Sequence, residues 1–164
     1  IYRPWDRMAV VTGIDFESEF LYGLDNGYNY MLSISQFVNA LAKYCPVDLL
    51  CLDSQEELEH FFCDSLGETI DSNLNIITVS NTKFGVKSNT LFFQKAAVKH
   101  IRDSASKNTR ILVYSRNLKH MALLIRSLQG NNHIQFAFEP HQILSQNLCR
   151  DSKFKDAEKT RKSY

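Results

Sequence analysis

Five short apolar runs alternate with amphipathic segments along most of the chain. The runs occupy residues 8–14, 47–52, 75–80, 110–114 and 134–138. Their residues are mostly apolar rather than alternately apolar and polar, which is typical of strands buried on both faces. We therefore predict five buried β-strands.

The segments between the runs carry apolar residues at helical spacing. The first predicted helix is capped by Ser33 or Ser35 and stops before Pro46, with an apolar face of Phe37, Ala40, Leu41, Tyr44 and Cys45. Ser54 and Glu57 have the spacing of a capping box and start a second helix. A third helix is predicted near residues 90–102, and a fourth ends at Gly130, a residue that favours helix termination.

Strands that alternate with helices of about ten residues are typical of a parallel sheet covered on both faces. We predict an α/β fold, a three-layer Rossmann-like sandwich with a mainly parallel five-stranded sheet. One domain is expected over residues 1–149. Residues 150–164 are highly charged and form a predicted C-terminal tail, either a frayed helix or a disordered segment.

Charge and cysteine content narrow the possible partners and the compartment. Nineteen basic and eighteen acidic residues give a net charge of +1, so the composition carries no strong nucleic-acid signal. The four cysteines lack zinc-site or redox spacing, which favours buried thiols in a reducing compartment. No apolar run reaches the roughly 18 residues of a membrane span. We expect a soluble, intracellular, cytoplasmic protein.

Polar residues follow each predicted strand, and in a parallel sheet these positions converge on one edge. They are Asp15 and Glu17, then Asp53 and Ser54, then Ser80 and Asn81, and finally Ser115, Arg116 and Asn117. Lys83, Lys87 and Lys95 lie in or just beyond the loop after the third strand. Such a combination of acid, hydroxyl and basic groups suits a phosphate ligand.

The layout over residues 8–128 resembles the haloacid dehalogenase (HAD) superfamily. The local likeness lies in Thr90-Leu-Phe-Phe-Gln-Lys95, an apolar strand, and Tyr114-Ser-Arg-Asn-Leu-Lys-His120. The resemblance implies Asp15 as nucleophile, Glu17 as the acid two positions on, Ser54 as phosphate-binding hydroxyl, and Lys87 or Lys95 as the charge-neutralising lysine. Each has a competing structural role: solvated loop acids, a helix cap, and surface lysines.

The position after the fourth strand departs from this family, in which an acid there holds Mg²⁺. Ser115, Arg116 and Asn117 supply no carboxylate, although Mg²⁺ prefers oxygen ligands and carboxylate charge. Arg116 can bind phosphate through two parallel hydrogen bonds without a metal. Alternatively, it pairs with Asp15 or Asp53 in a salt bridge.

The segment after the first strand is rich in aromatic residues: Phe16, Phe20, Tyr22, Tyr28 and Tyr30. They form either a partner-binding or ligand-covering surface, or a hydrophobic cluster packed over the sheet. His120, four positions after Arg116, is either an acid–base group or a structural histidine.

The sequence therefore predicts a degenerate HAD-like domain with weak or no hydrolase activity, acting as a phosphate-ligand or protein-binding module. One alternative is an active phosphatase that uses Asp15 as nucleophile. Another is a degenerate PIN- or NYN-like nuclease. Residues 111–130 also resemble the strand-helix-strand segment of that family. No cofactor is expected, and Mg²⁺ is required only if the phosphatase alternative holds.

Overall fold

The computed structural model describes residues 4–13, 16, 21, 30–79 and 90–139. Five strands of five residues form one sheet: β1 (Arg7–Val11), β2 (Val47–Cys51), β3 (Leu74–Thr78), β4 (Ile111–Ser115) and β5 (Ile134–Phe138). Their order is β3-β2-β1-β4-β5, and every neighbouring pair is parallel. The predicted α/β sandwich with a five-stranded parallel sheet is confirmed.

Helices cover both faces of the sheet. They are α1 (Tyr30–Ala42), α2 (Gln55–His60), α3 (Thr90–Ser104) and α4 (Leu118–Leu128), and α2 continues into a π-helical segment, Phe61–Leu66. Buried residues of α1 and α2 pack in one core with Val10 and Leu49. Those of α3 and α4 pack in a second core with Ala9 and Leu50. Successive residues of a strand therefore serve opposite cores, which explains the continuous apolar runs.

The N-terminal cap predicted for α1 was wrong, whereas its apolar face was predicted in part. Ser33 and Ser35 lie inside the helix rather than at its start. Phe37, Leu41 and Cys45 lie in or against the core as predicted, but Ala40 is exposed and Tyr44 follows the helix with 73% of its surface exposed. The fully buried apolar residues of α1 are instead Ile34, Val38 and Ala42, so the buried face is wider than predicted.

Strand boundaries also differ slightly from the predicted ranges. β1 ends at Val11 rather than at residue 14, and β3 begins at Leu74, one residue earlier than predicted. Beyond the end of β1, the backbone amides of Thr12 and Gly13 and the hydroxyl of Thr12 all donate to Leu50 O. Hydrogen bonding between the two neighbouring chain segments therefore continues for two residues beyond β1.

The predicted capping box of α2 is confirmed. The Glu57 amide donates to Ser54 Oγ at 3.2 Å, and the Ser54 amide donates to Glu57 Oε2 at 2.8 Å. The two bonds satisfy backbone donors that have no partner within the helix. Gly130 follows α4 with φ of 90°, as its predicted role in ending that helix requires.

Asp48 places a buried carboxylate within β2, on the face covered by α3. Asn75 Nδ2 donates to its Oδ1 at 3.2 Å, and Arg7 Nε lies 3.6 Å from the same oxygen. His100 Nε2 lies 3.1 Å from Oδ2. A buried charge needs such partners, because isolated burial of a carboxylate is very unfavourable. His100 of α3 therefore belongs to this polar cluster.

Candidate functional site

The carboxyl edge between β1 and β4 is the candidate ligand site of this fold. The chain runs from β1 to β2 on one side of β1, whereas β4 lies on the other side. In open parallel sheets, ligands bind in the crevice at such a reversal of strand order. Gly13 follows β1 at this point, and Ser115 ends β4.

Ser115 and Asn117 hold the turn between β4 and α4. Ser115 is buried; its hydroxyl donates to Val11 O at 2.8 Å and accepts from the Asn117 amide at 3.1 Å. Asn117 is the N-terminal cap of α4, and its Oδ1 accepts the amides of Lys119 and His120 at 2.9 and 3.2 Å. Both side chains thus satisfy backbone groups of the strand–helix junction.

Arg116 makes polar and aromatic contacts next to α1. Its Nε donates to Tyr114 Oη at 2.7 Å and lies 3.4 Å from Glu139 Oε2. Its Nη1 donates to Ser33 Oγ at 3.3 Å, and the guanidinium lies 5.5 Å from the centre of the Phe37 ring. Only 8% of the Arg116 side chain is exposed. The guanidinium therefore joins β4, α1 and the residue after β5.

Tyr114 links the same two charges, because its hydroxyl donates to Glu139 Oε2 while accepting from Arg116. Burial raises the pKa of Tyr114 to about 12, and the hydrogen bond to Glu139 acts in the same direction. Asp53 was one of the acids considered as the partner of Arg116, but the described carboxylate beside Arg116 belongs to Glu139.

Asp53 instead anchors the segment that follows β1. Its two carboxylate oxygens accept the Phe16 amide at 3.0 and 3.2 Å, and only 1% of Asp53 is exposed. The Phe16 ring is fully buried and meets the Phe61 ring edge-on, with 6.1 Å between centroids. Partner binding and packing over the sheet were both open for Phe16, and its side chain packs in the core shared with α2.

His120 lies in the crevice beside the end of β1. It is 5% exposed, its ring packs 5.2 Å from that of Phe93, and Gln94 Nε2 lies 3.1 Å from its Nδ1. Because an amide nitrogen only donates, Nδ1 accepts and Nε2 carries the proton. Burial, with a smaller effect of Lys119, lowers the pKa of His120 to about 4. The imidazole is therefore neutral at physiological pH.

Gly13 makes the close approach of this imidazole possible. Its φ is +64°, and a Cβ added there would lie 2.6 Å from His120 Nε2 and 3.0 Å from Phe93 Cε1. Real Cβ atoms do not tolerate the shorter distance, and the left-handed backbone also favours glycine. The His120 and Phe93 rings consequently pack directly against the backbone at the end of β1.

The predicted phosphate-binding residues occupy separate places where they are described. Ser54 caps α2, with its hydroxyl accepting the Glu57 amide. Lys95 lies on the exposed side of α3 and lines a groove toward α4, whose described lining does not include Ser54 or Arg116. Ser54 therefore has a structural role as a helix cap, and Lys95 lines the groove between α3 and α4.

The remaining predicted site residues lie outside the described residues. They are Asp15, Glu17, Lys87, Phe20, Tyr22 and Tyr28; Tyr30 begins α1, but its side chain is not described. Within the described ranges, no group of three or more His, Cys, Asp or Glu side chains is arranged to hold a metal ion. In the same part of the chain, no helix combines the length and apolar character needed to cross a bilayer.

Glu139 and Asp48 take part in structural pairings that the sequence-based prediction missed, although the sequence contains a signal for each. Glu139 directly follows β5, and the β4–β5 register pairs Ser115 with Phe138, which places Glu139 beside Arg116. Asp48 is the charged residue inside an otherwise apolar strand, a position that demands cationic or amide neighbours.

Comparisons with protein-family models, curated proteins and solved structures found no match.

Proposed function

We propose that this chain is a degenerate HAD-like domain with weak or no hydrolase activity, which acts as a binding module. The observation that carries the proposal is the structural use of all three polar residues after β4. Ser115 bonds to β1, Asn117 caps α4, and Arg116 lies against Glu139.

The charge at this position supports the proposed loss of magnesium-dependent chemistry. A HAD-type phosphatase requires a carboxylate here to hold Mg²⁺, and the metal in turn neutralises the phosphoryl oxygens. The guanidinium of Arg116 contributes positive charge instead, and its electrostatic field opposes a divalent cation. Glu139 partly offsets that charge but is itself paired. This arrangement supports a stable fold better than it supports metal-assisted phosphoryl transfer.

Between the two forms of the binding module, the described contacts favour protein binding over phosphate binding. Nε and Nη1 of Arg116 each donate a hydrogen bond, to Tyr114 and Ser33, so a phosphate would compete with these contacts for the side of the guanidinium that carries Nε. Ser54 and Lys95 belong to different surfaces. Protein binding needs neither a converged phosphate site nor a metal.

Hydrolysis of para-nitrophenyl phosphate, measured with and without Mg²⁺, tests the loss of activity. We expect no magnesium-dependent turnover and no difference between the parent chain, Asp15→Asn and the matched control Asp25→Asn. Magnesium-dependent turnover with kcat of about 1 s⁻¹ or more, lost in Asp15→Asn alone, would establish the phosphatase alternative. Divalent-dependent cleavage of single-stranded RNA would instead establish the nuclease alternative.

A further inference from the structure

A groove of about 310 Å³ lies between the outer surfaces of α3 and α4. One stripe of α3 forms most of its lining, and Leu123 and Ser127 of α4 complete it. The α3 residues recur at helical spacing and share one face: Leu91, Lys95, Val98, Lys99 and Arg102. At 1.5 Å per residue, this stripe is about 16 Å long, equivalent to roughly three helical turns.

The charged residues that line the groove are all basic, although the whole chain has a net charge of only +1. Lys95 and Lys99 are one helical turn apart, where like charges repel and destabilise the helix slightly. Lys99 pairs with Asp103, but both side chains are largely exposed and such pairs are weak. Arg102 donates to Ser127 O, a carbonyl that leaves its positive charge in place.

Apolar side chains lie between these basic groups. Leu91 has 57% of its surface exposed, although it is a large apolar residue at the groove. Val98 forms a nearly buried part of the lining, and Leu123 faces it from α4. Apolar surface beside positive charge is complementary to a segment that alternates apolar and acidic faces.

We propose that this groove docks an acidic amphipathic helix of another protein. Leucine-like side chains of the partner would enter the groove between α3 and α4, and its carboxylates would meet Lys95, Lys99 and Arg102. The concave shape favours a helix over a lipid surface, because a membrane contact would instead call for apolar side chains that protrude. The groove lining does not include Ser115, Arg116 or Asn117, so hydrolase activity at the carboxyl edge would refute the proposed function without affecting this inference.

The test uses the intact chain and a synthetic peptide of about 14 residues, roughly the length of α3. The peptide carries Leu at i, i+4 and i+7 with Glu on both flanks. In a ¹⁵N-resolved titration we expect amide shifts at Lys95, Val98 and Leu123. Fluorescence anisotropy should show that Lys95→Gln/Lys99→Gln weakens binding about tenfold, with a smaller salt dependence than the parent chain.

The matched control is Lys43→Gln/Lys107→Gln, which removes the same charge from exposed positions outside the groove lining. Its affinity should equal that of the parent chain. Equal weakening by both double variants, or equally tight binding of a peptide with Gln in place of Glu, would overturn the proposal. So would binding to phosphatidylserine vesicles without binding to the peptide, or groove-dependent self-association without binding to the peptide.

Discussion

The polar side chains after β4 and those of the α3–α4 groove differ in what they contact. Ser115 is buried and Arg116 is nearly so, and both bond to neighbouring parts of the fold. Lys95 and Lys99 lie in solvent around exposed apolar surface. A cluster of polar residues at the expected edge of a sheet therefore marks a binding site only when those residues remain available to a ligand.

The largest expected effect concerns Gly13, whose missing side chain allows His120 and Phe93 to pack against its backbone. Gly13→Ala should lower the free energy of unfolding by about 3 kcal/mol, because it adds a clash with His120 to the strain of left-handed backbone. Urea denaturation followed by circular dichroism measures the loss.

Gly67→Ala is the matched control for this prediction. Gly67 has the same φ of +64°, but a Cβ added there would meet no atom within 4 Å. It should cost only about 1 kcal/mol, the backbone contribution alone. Equal losses in the two variants would show that the packing of His120 against Gly13 is unimportant.

The second prediction concerns the pH dependence of the crevice. Because the pKa of His120 is about 4 when folded and 6.5 ordinarily, the unfolded chain binds a proton that the folded chain excludes between these values. This contribution to stability is fully present above pH 6.5 and declines as pH falls toward 4. Its loss should amount to about 3 kcal/mol.

Urea midpoints measured from pH 7.5 to 4 check this expectation. His120→Gln should flatten the acid-side decline, whereas His133→Gln, in the turn before β5, should retain it. An identical decline in the parent chain and His120→Gln would show that other groups control acid stability.

A smaller loss is expected from Arg116→Met. The substitution keeps most of the aliphatic stem and removes the bonds to Tyr114 and Ser33 and the pair with Glu139. Because Glu139 is 56% exposed and can be solvated, the loss should be about 1 to 2 kcal/mol by urea denaturation. Arg126→Met, at an exposed position of α4, should change stability by less than about 0.5 kcal/mol. An equally small effect of Arg116→Met would show that the Arg116 contacts do not stabilise the fold.

The smallest effect is expected in the groove. Lys95→Gln/Lys99→Gln should change the free energy of unfolding by less than about 0.5 kcal/mol, since both lysines are exposed. Thermal melting by circular dichroism provides the measurement. A loss comparable to that of Arg116→Met would mean that the groove residues hold the fold, and the contrast between the two regions would disappear.

Local signals made much of the fold predictable from sequence. Ser54 and Glu57 are three residues apart, so their capping box depends on little beyond one helical turn. Buried strands show as apolar runs whatever their neighbours, as in β2. The most deeply buried line of α1 was not predictable in this way, because several lines of apolar residues have helical spacing and the sheet buries Ile34 and Val38 more fully than Phe37.

The candidate site depended on contacts that span the sheet. Ser115 was correctly expected at the carboxyl edge, but its bond to Val11 depends on the pairing of β4 with β1. Arg116 meets Glu139 because β5 lies next to β4. Residue type left phosphate binding and a salt bridge both open for Arg116, whereas strand order places the Glu139 carboxylate beside it.

Asp48 has a consequence for how the chain selects its native pairing during folding. If β2 shifted by one residue, Asp48 would turn toward the opposite core, away from Arg7, Asn75 and His100. Its charge would then be left among aliphatic and aromatic side chains, at a cost far above that of a misplaced valine. One acid inside an apolar strand thereby discriminates against misaligned sheets that hydrophobic burial alone would tolerate.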